Sequence, residues 1–381
     1  MHKSGREGMI YLDSAATSLQ KPSEVGKAMF RAVRTMASPG RGGHAAAMRA
    51  AETAFQCRSE IAELFNVDNP EQVVFTMNAT HGLNIAIHDM VSPGDRVVVS
   101  GYEHNSVIRA LHMCGANIDV AESPLFEPDA AVQIFREKLT GAKAAVVCHV
   151  SNVFGYILPI GQIAKLCEWQ GVPLLIDASQ SAGCIPIDFG ALGAEYIAMP
   201  GHKGLLGPQG TGVLLCRNLP RPLLAGGTGS ESKNVEMPEY LPDRLEAGTH
   251  NIPGIAGLFE GVRWVRKKTE RSILAHEQAL LNDFASRLQN IEGTEMFLSP
   301  ERELQTGVLS FRLREMDCET LASVLAEKQV AVRAGYHCAP IAHKTAGTIE
   351  HGTVRVSFSP FNTRYEIVTA LERMKISMKK A

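Results

Sequence analysis

The sequence predicts an α/β protein in which a large domain, built on a mostly parallel sheet covered by helices, joins a smaller C-terminal α+β domain. Three observations predict it. Between residues 73 and 216, short apolar runs alternate with helical stretches, the pattern of strands buried on both faces of a parallel sheet. After residue 293 the pattern changes to a second set of strands and helices. The chain has 381 residues, enough for two cores.

In chain order, residues 1–20 are expected to contribute to the small domain, and 21–255 to form the large one. Met9-Ile-Tyr-Leu-Asp13 leads into a turn, and apolar spacing predicts helices near 22–36 and 46–66. Strands are expected at Val73-Val-Phe-Thr-Met77, Arg96-Val-Val-Val-Ser100, Ala144-Ala-Val-Val-Cys148, Leu174-Leu-Ile-Asp177, Tyr196-Ile-Ala-Met199 and Gly212-Val-Leu-Leu-Cys216. The Pro- and Gly-rich stretch 219–255 reads as irregular. Residues 256–290, including Trp264-Val-Arg-Lys-Lys-Thr-Glu-Arg271, predict one long amphipathic connecting helix. The small domain, 291–381, carries expected strands at 306–313, 330–333 and 353–358 and helices near 317–328 and 362–377.

Composition narrows the function. A formal net charge of −2, with 45% hydrophobic and 20% charged residues, is ordinary for a globular enzyme and offers nucleic acid or anionic membrane no general attraction. The Lys379-Lys380 pair reads as a solvated terminus. Residues 1–8 are polar and lack the apolar run of a signal peptide, and no apolar stretch of ~20 residues is present. None of the eight cysteines forms a Cys-x-x-Cys pair. No metal site is expected, and a reducing cytoplasm fits.

Four segments carry possible chemistry, each with a plainer reading beside it. Asp177, ending a buried strand, is placed to pair with a protonated pyridine nitrogen, or simply to cap a helix. Lys203, between Gly201-His202 and Gly204, is either an amine nucleophile toward aldehydes or a loop lysine. Thr76-Met-Asn-Ala-Thr-His-Gly82 offers a helix N-terminus to a phosphate, or a routine cap. His104, in Tyr102-Glu-His-Asn-Ser106, either stacks on a planar ring or is structural. In parallel sheets ligands bind outside the carboxyl ends of the strands, where Asn78, His104 and Asp177 fall.

Together these residues resemble the class V aminotransferase-type pyridoxal phosphate enzymes, specifically Suf-type cysteine desulfurases. The resemblance runs nearly end to end: Tyr11-Leu-Asp-Ser-Ala-Ala-Thr17, Glu103-His-Asn-Ser106, His149-Val-Ser-Asn-Val-Phe-Gly155, Asp177-Ala-Ser-Gln180, Gly201-His-Lys203, Glu246-Ala-Gly-Thr249 and Arg333-Ala-Gly-Tyr-His-Cys338. It implies the fold-type I architecture of these transferases, with a seven-stranded sheet. It implies that Lys203 carries pyridoxal phosphate, with Asp177 on the ring nitrogen, Gln180 on the phenolic oxygen and His104 stacked on the ring. Ala79, Thr80 and His202 would bind the phosphate, joined by Thr249 from the other subunit of a homodimer. Asn152, Arg355 and Arg333 would hold the substrate, Arg355 as a fork for its carboxylate. Cys338 would attack the sulfur of L-cysteine, releasing alanine and leaving a persulfide for an acceptor protein in Fe–S cluster or thio-cofactor synthesis.

The chain departs from the family pattern at Pro200, where a hydroxyl residue is usual, and at His81, where an acidic residue is common. Pro200 costs the phosphate one hydroxyl contact and offers no N–H in exchange. The compact segment from Cys338 to Arg355 is expected to shelter the thiol, and Arg333 and His337 to favour its anion. The other seven cysteines read as small buried hydrophobes. L-Selenocysteine is an alternative substrate. Aminotransferase, β-lyase, epimerase or non-catalytic scaffold are alternative roles, since the fold alone does not decide.

Overall fold

The structure, a computed structural model, describes residues 8–40 and 42–378; the N-terminal residues 1–7 and the Lys379-Lys380 pair lie outside it. Its strands are β1 (Ile10–Tyr11), β2 (Val73–Thr76), β3 (Arg96–Ser100), β4 (Asn117–Ala121), β5 (Ala144–Cys148), β6 (Leu174–Asp177) and β7 (Tyr196–Pro200). They continue as β8 (Gly212–Cys216), β9 (Thr294–Phe297), β10 (Val308–Leu313), β11 (Val330–Ala331), β12 (Arg333–Gly335) and β13 (Thr353–Ser357). A seven-stranded sheet has the order β2-β8-β7-β6-β5-β3-β4. Only β8 runs antiparallel to its neighbours.

The apolar runs are continuous because both faces of this sheet are covered. Val98, Ala145, Val147 and Ile176 enter one core, while Val97, Val99, Val146 and Leu175 enter another. Alternate residues of one strand thus serve opposite faces. β4 was not expected, and its position explains why. As an edge strand it is half-exposed, and its Asp119 pairs with Arg96 and Lys138, so its sequence lacks an apolar run.

A four-stranded antiparallel sheet, β12-β13-β10-β9, builds the C-terminal part. The N-terminal segment is laced into it: β1 pairs in parallel with β11, and Ile10 and Leu12 join its core. Residues 256–290 are two helices, Ile252–Lys268 and Glu270–Leu288, rather than the single one expected. The break is at Thr269, whose backbone turns into the left-handed region (φ 66°) and whose hydroxyl accepts the Ser272 N–H to cap the second helix. Among the described residues no helix is long and apolar enough to cross a membrane.

Candidate active site

The carboxyl ends of β3, β5, β6 and β7 open onto a cavity of about 240 Å³. Asn78, Ala79, Thr80, His104, Cys148, Asn152, Asp177, Gln180, Pro200, His202 and Lys203 all line it. Asp177 is 4% exposed. No helix follows it: Oδ1 accepts the Ser179 N–H at 2.9 Å within a turn, and Oδ2 has no hydrogen bond among the described residues. On a residue that lines the cavity, an unpaired carboxylate oxygen suits a proton-bearing partner.

Lys203 follows β7 in a turn that its glycines make possible. A Cβ on Gly204 would lie 2.3 Å from the Ala182 carbonyl oxygen, so no larger residue fits there. No hydrogen bond or ion pair reaches Lys203 Nζ among the described residues. Burial pulls its amine down to about 8; Asp177 opposes this, and Arg355 and Arg333 add to it. An amine so depressed holds a minor but appreciable neutral fraction near physiological pH, far more than an ordinary lysine, and the neutral form is the one that attacks an aldehyde.

His104 caps the helix Asn105–Met113, its Nδ1 accepting the Ser106 N–H at 3.0 Å. Burial lowers its pKa, against the pull of Asp177, leaving a neutral ring on the cavity wall. Ala79 and Thr80 open the helix Ala79–Met90, which Asn78 caps by accepting the His81 N–H at 2.9 Å. The His81 ring turns back to the Met77 N–H, so it is absent from the cavity lining. His202 Nδ1 lies 2.9 Å from the Thr17 hydroxyl, and burial, then Lys203 and Lys21, take the imidazole down to about 4. Gln180 Nε2 donates to the Ala15 carbonyl at 2.9 Å.

Asn152 lines the cavity, whereas Arg355, Arg333 and Cys338 are not among its lining residues. Asn152 Nδ2 donates to the His337 carbonyl at 2.8 Å, while its Oδ1 is buried without a partner. Arg355, 2% exposed, donates from Nη1 to the Asn152 carbonyl at 2.7 Å and from Nη2 to Asp13 at 2.9 Å; its Nε is unsatisfied. Arg333 is the register neighbour of Arg355 and bonds the same Asp13. Asp13 was not predicted: it lies 342 residues from Arg355 in sequence, and only the pairing of the N-terminal segment with the small sheet brings them together. Lys21, which donates to Ser18 at 2.6 Å beside the His202 carbonyl, was also missed.

Cys338 differs from expectation in two ways. The thiol residue is exposed rather than sheltered. His337 does not supply charge: its ring is buried against the Thr353 hydroxyl at 3.1 Å, and burial holds it neutral. The loop instead projects because His337 and Cys338 both adopt left-handed backbone (φ 49° and 57°), costly for residues with a Cβ. Three bonds hold this conformation: the Ala339 N–H on the Tyr336 carbonyl at 2.9 Å, Asn152 on the His337 carbonyl, and the Asn105 N–H on the Cys338 carbonyl at 2.8 Å. Of the other seven cysteines, five are buried, whereas Cys114 and Cys318 are half-buried. Thr249 is absent from the cavity lining and borders a separate depression with Met77 and His81.

The fold and strand-end cavity are those of a class with close counterparts. The aminotransferase class-V family matches residues 10–369. A probable cysteine desulfurase of Methanothermobacter thermautotrophicus is 32% identical over 374 residues, covering 94% of this chain and 92% of that protein. A cysteine desulfurase of Escherichia coli is 31% identical over 392 residues, covering 96% and 93%. The apo structure of a cysteine desulfurase from Thermococcus onnurineus matches with a TM-score of 0.89 at 30% identity, covering 98% of this chain and 95% of that one. The chain belongs to the class-V aminotransferase family, within its cysteine desulfurases. That family is dependent on pyridoxal phosphate.

Proposed function

We propose that this chain is an L-cysteine desulfurase that holds pyridoxal phosphate on Lys203 and takes sulfur as a persulfide on Cys338. The observation that carries the reading is the convergence on one cavity of an unpaired lysine amine, a buried carboxylate with a free oxygen and a neutral imidazole. These residues fit the group: Asp177 for its ring nitrogen, His104 for its face, Gln180 for its phenolic oxygen, and Ala79, Thr80 and His202 for its phosphate. When bound, pyridoxal phosphate supplies an electron sink for the substrate's carbons.

The chain's own residues then have separate tasks. Asn152 on the cavity wall, with the Arg355 guanidinium bonded to its carbonyl from behind, supports this pair as the residues that hold the substrate's amino-acid end. Lys203 Nζ would take and return the proton at the substrate's α-carbon. The Cys338 thiolate attacks the substrate sulfur: an S–S bond forms, the C–S bond breaks, and the electron pair left on carbon is protonated to give alanine. An exposed Cys338 supports direct hand-over of the sulfur to an acceptor protein. Eight free cysteines support a reducing cytoplasm.

The active unit is a homodimer in which Thr249 of one protomer completes the phosphate site of the other. The exposed Phe30, Val33, Met48 and Phe55 on the helices Ser23–Thr35 and Ala45–Phe65 support such a covered face. Cys338→Ser tests the reaction: alanine production from cysteine is lost, whereas a transaminase would keep its activity. Full desulfuration by the variant would overturn the nucleophile.

A further inference from the structure

Glu246 is 7% exposed and touches none of the residues assigned above, yet three elements meet on its carboxylate. Oε1 accepts the Phe75 N–H at 2.6 Å, on the strand β2 that leads directly into Asn78, Ala79 and Thr80. Oε2 lies 2.5 Å from Arg58 Nη2, on the helix Ala45–Phe65, and 2.5 Å from His250 Nε2. Arg58 also donates to the Val73 carbonyl of β2 and lies over the Phe75 ring, 4.2 Å from its centre. Burial pushes the Glu246 carboxyl up, but the Arg58 charge and the His250 and Arg58 bonds outweigh it, so the group is an anion at neutral pH.

His250 adjoins Thr249. One buried carboxylate therefore fixes the strand delivering Ala79 and Thr80 to this protomer's cavity, and also the loop presenting Thr249 outside that cavity. We propose that Glu246 is a positioning residue for cofactor phosphate in both pockets of the dimer, aiming Ala79 and Thr80 at its own through Phe75 and Thr249 at its partner's through His250. The inference rests on the homodimer reading above. It predicts a phosphate-specific effect, whereas a buried ion pair that merely held the fold would lower stability and all ligand affinities together.

The test titrates cofactor-stripped protein with pyridoxal phosphate and, separately, with pyridoxal lacking the phosphate. Glu246→Gln leaves a buried arginine without its anion and can cost the fold. His250→Ala keeps the Arg58–Glu246–Phe75 contacts and frees only the Thr249 side, so it is the deciding variant. His250→Ala and Thr249→Ala are each expected to weaken pyridoxal phosphate about tenfold, with pyridoxal affinity and melting temperature unchanged. The double variant should be no weaker than Thr249→Ala. If Thr249→Ala lowers the affinity ratio and His250→Ala does not, the positioning role is overturned and the dimer reading stands. If Thr249→Ala leaves the ratio unchanged, the dimer reading itself is overturned, and the inference with it.

Discussion

At Lys203 the environment decides the chemistry. An amine held at about 8 by burial captures an aldehyde only when unprotonated, so cofactor loading should accelerate as pH rises through about 8 and level off above it. The rate of absorbance change on adding pyridoxal phosphate to stripped protein measures this; a rate independent of pH between 6.5 and 9 (range set about that value) would count against it. Asn152 supports the Cys338 loop through the His337 carbonyl, and in the proposed reaction it also contacts the substrate. Asn152→Ala should therefore raise KM for cysteine about tenfold or more, read from steady-state kinetics. Lys203 and Asp177 were legible in sequence because small, tight motifs surround them. Asp13 was not, since its partners Arg333 and Arg355 lie on the distant small sheet. The neutrality of His337 was also invisible, because sequence gives no measure of burial.

Among the elements, the strands buried on both faces were read almost to the residue, because their apolar runs have no other explanation. Edge strands β4 and β9 escaped, since half-exposed edges mix polar and apolar residues. The helix Glu270–Leu288 carries a cost the sequence does not announce: Glu277 is buried, with no hydrogen bond or ion pair among the described residues, and burial raises its carboxyl from the usual 4.5 to about 8. Between those values the folded protein holds a proton that the unfolded chain releases. Stability from this group is thus greatest below pH 4.5, falls as pH rises toward about 8, and is flat beyond. Glu277→Gln should raise the melting temperature by a few degrees at pH 8 and leave it nearly unchanged at pH 5 (conditions chosen to bracket that window). Equal shifts at both would show that the side chain is not titrating.

For the whole molecule, class and family followed from motif order along nearly the full chain, and the same resemblance implied a homodimer without indicating which face it would cover. That Phe30, Val33, Met48 and Phe55 are exposed apolar residues is visible only in three dimensions, and they mark the face the proposed dimer would cover. On the proposed homodimer, Val33→Glu, at a residue 69% exposed, should give a monomer in light scattering and weaken pyridoxal phosphate binding, since Thr249 would be withdrawn from the facing pocket. A folded variant that remains dimeric would place the interface elsewhere. The proposed reaction requires Lys203 and Cys338 to act on one substrate. Protein loaded with pyridoxal phosphate and given L-cysteine without an acceptor should gain about 32 Da, one sulfur, by intact-mass spectrometry. Peptide mapping should locate that sulfur on Cys338. Alanine formed with no added mass, or an adduct on another cysteine, would contradict it.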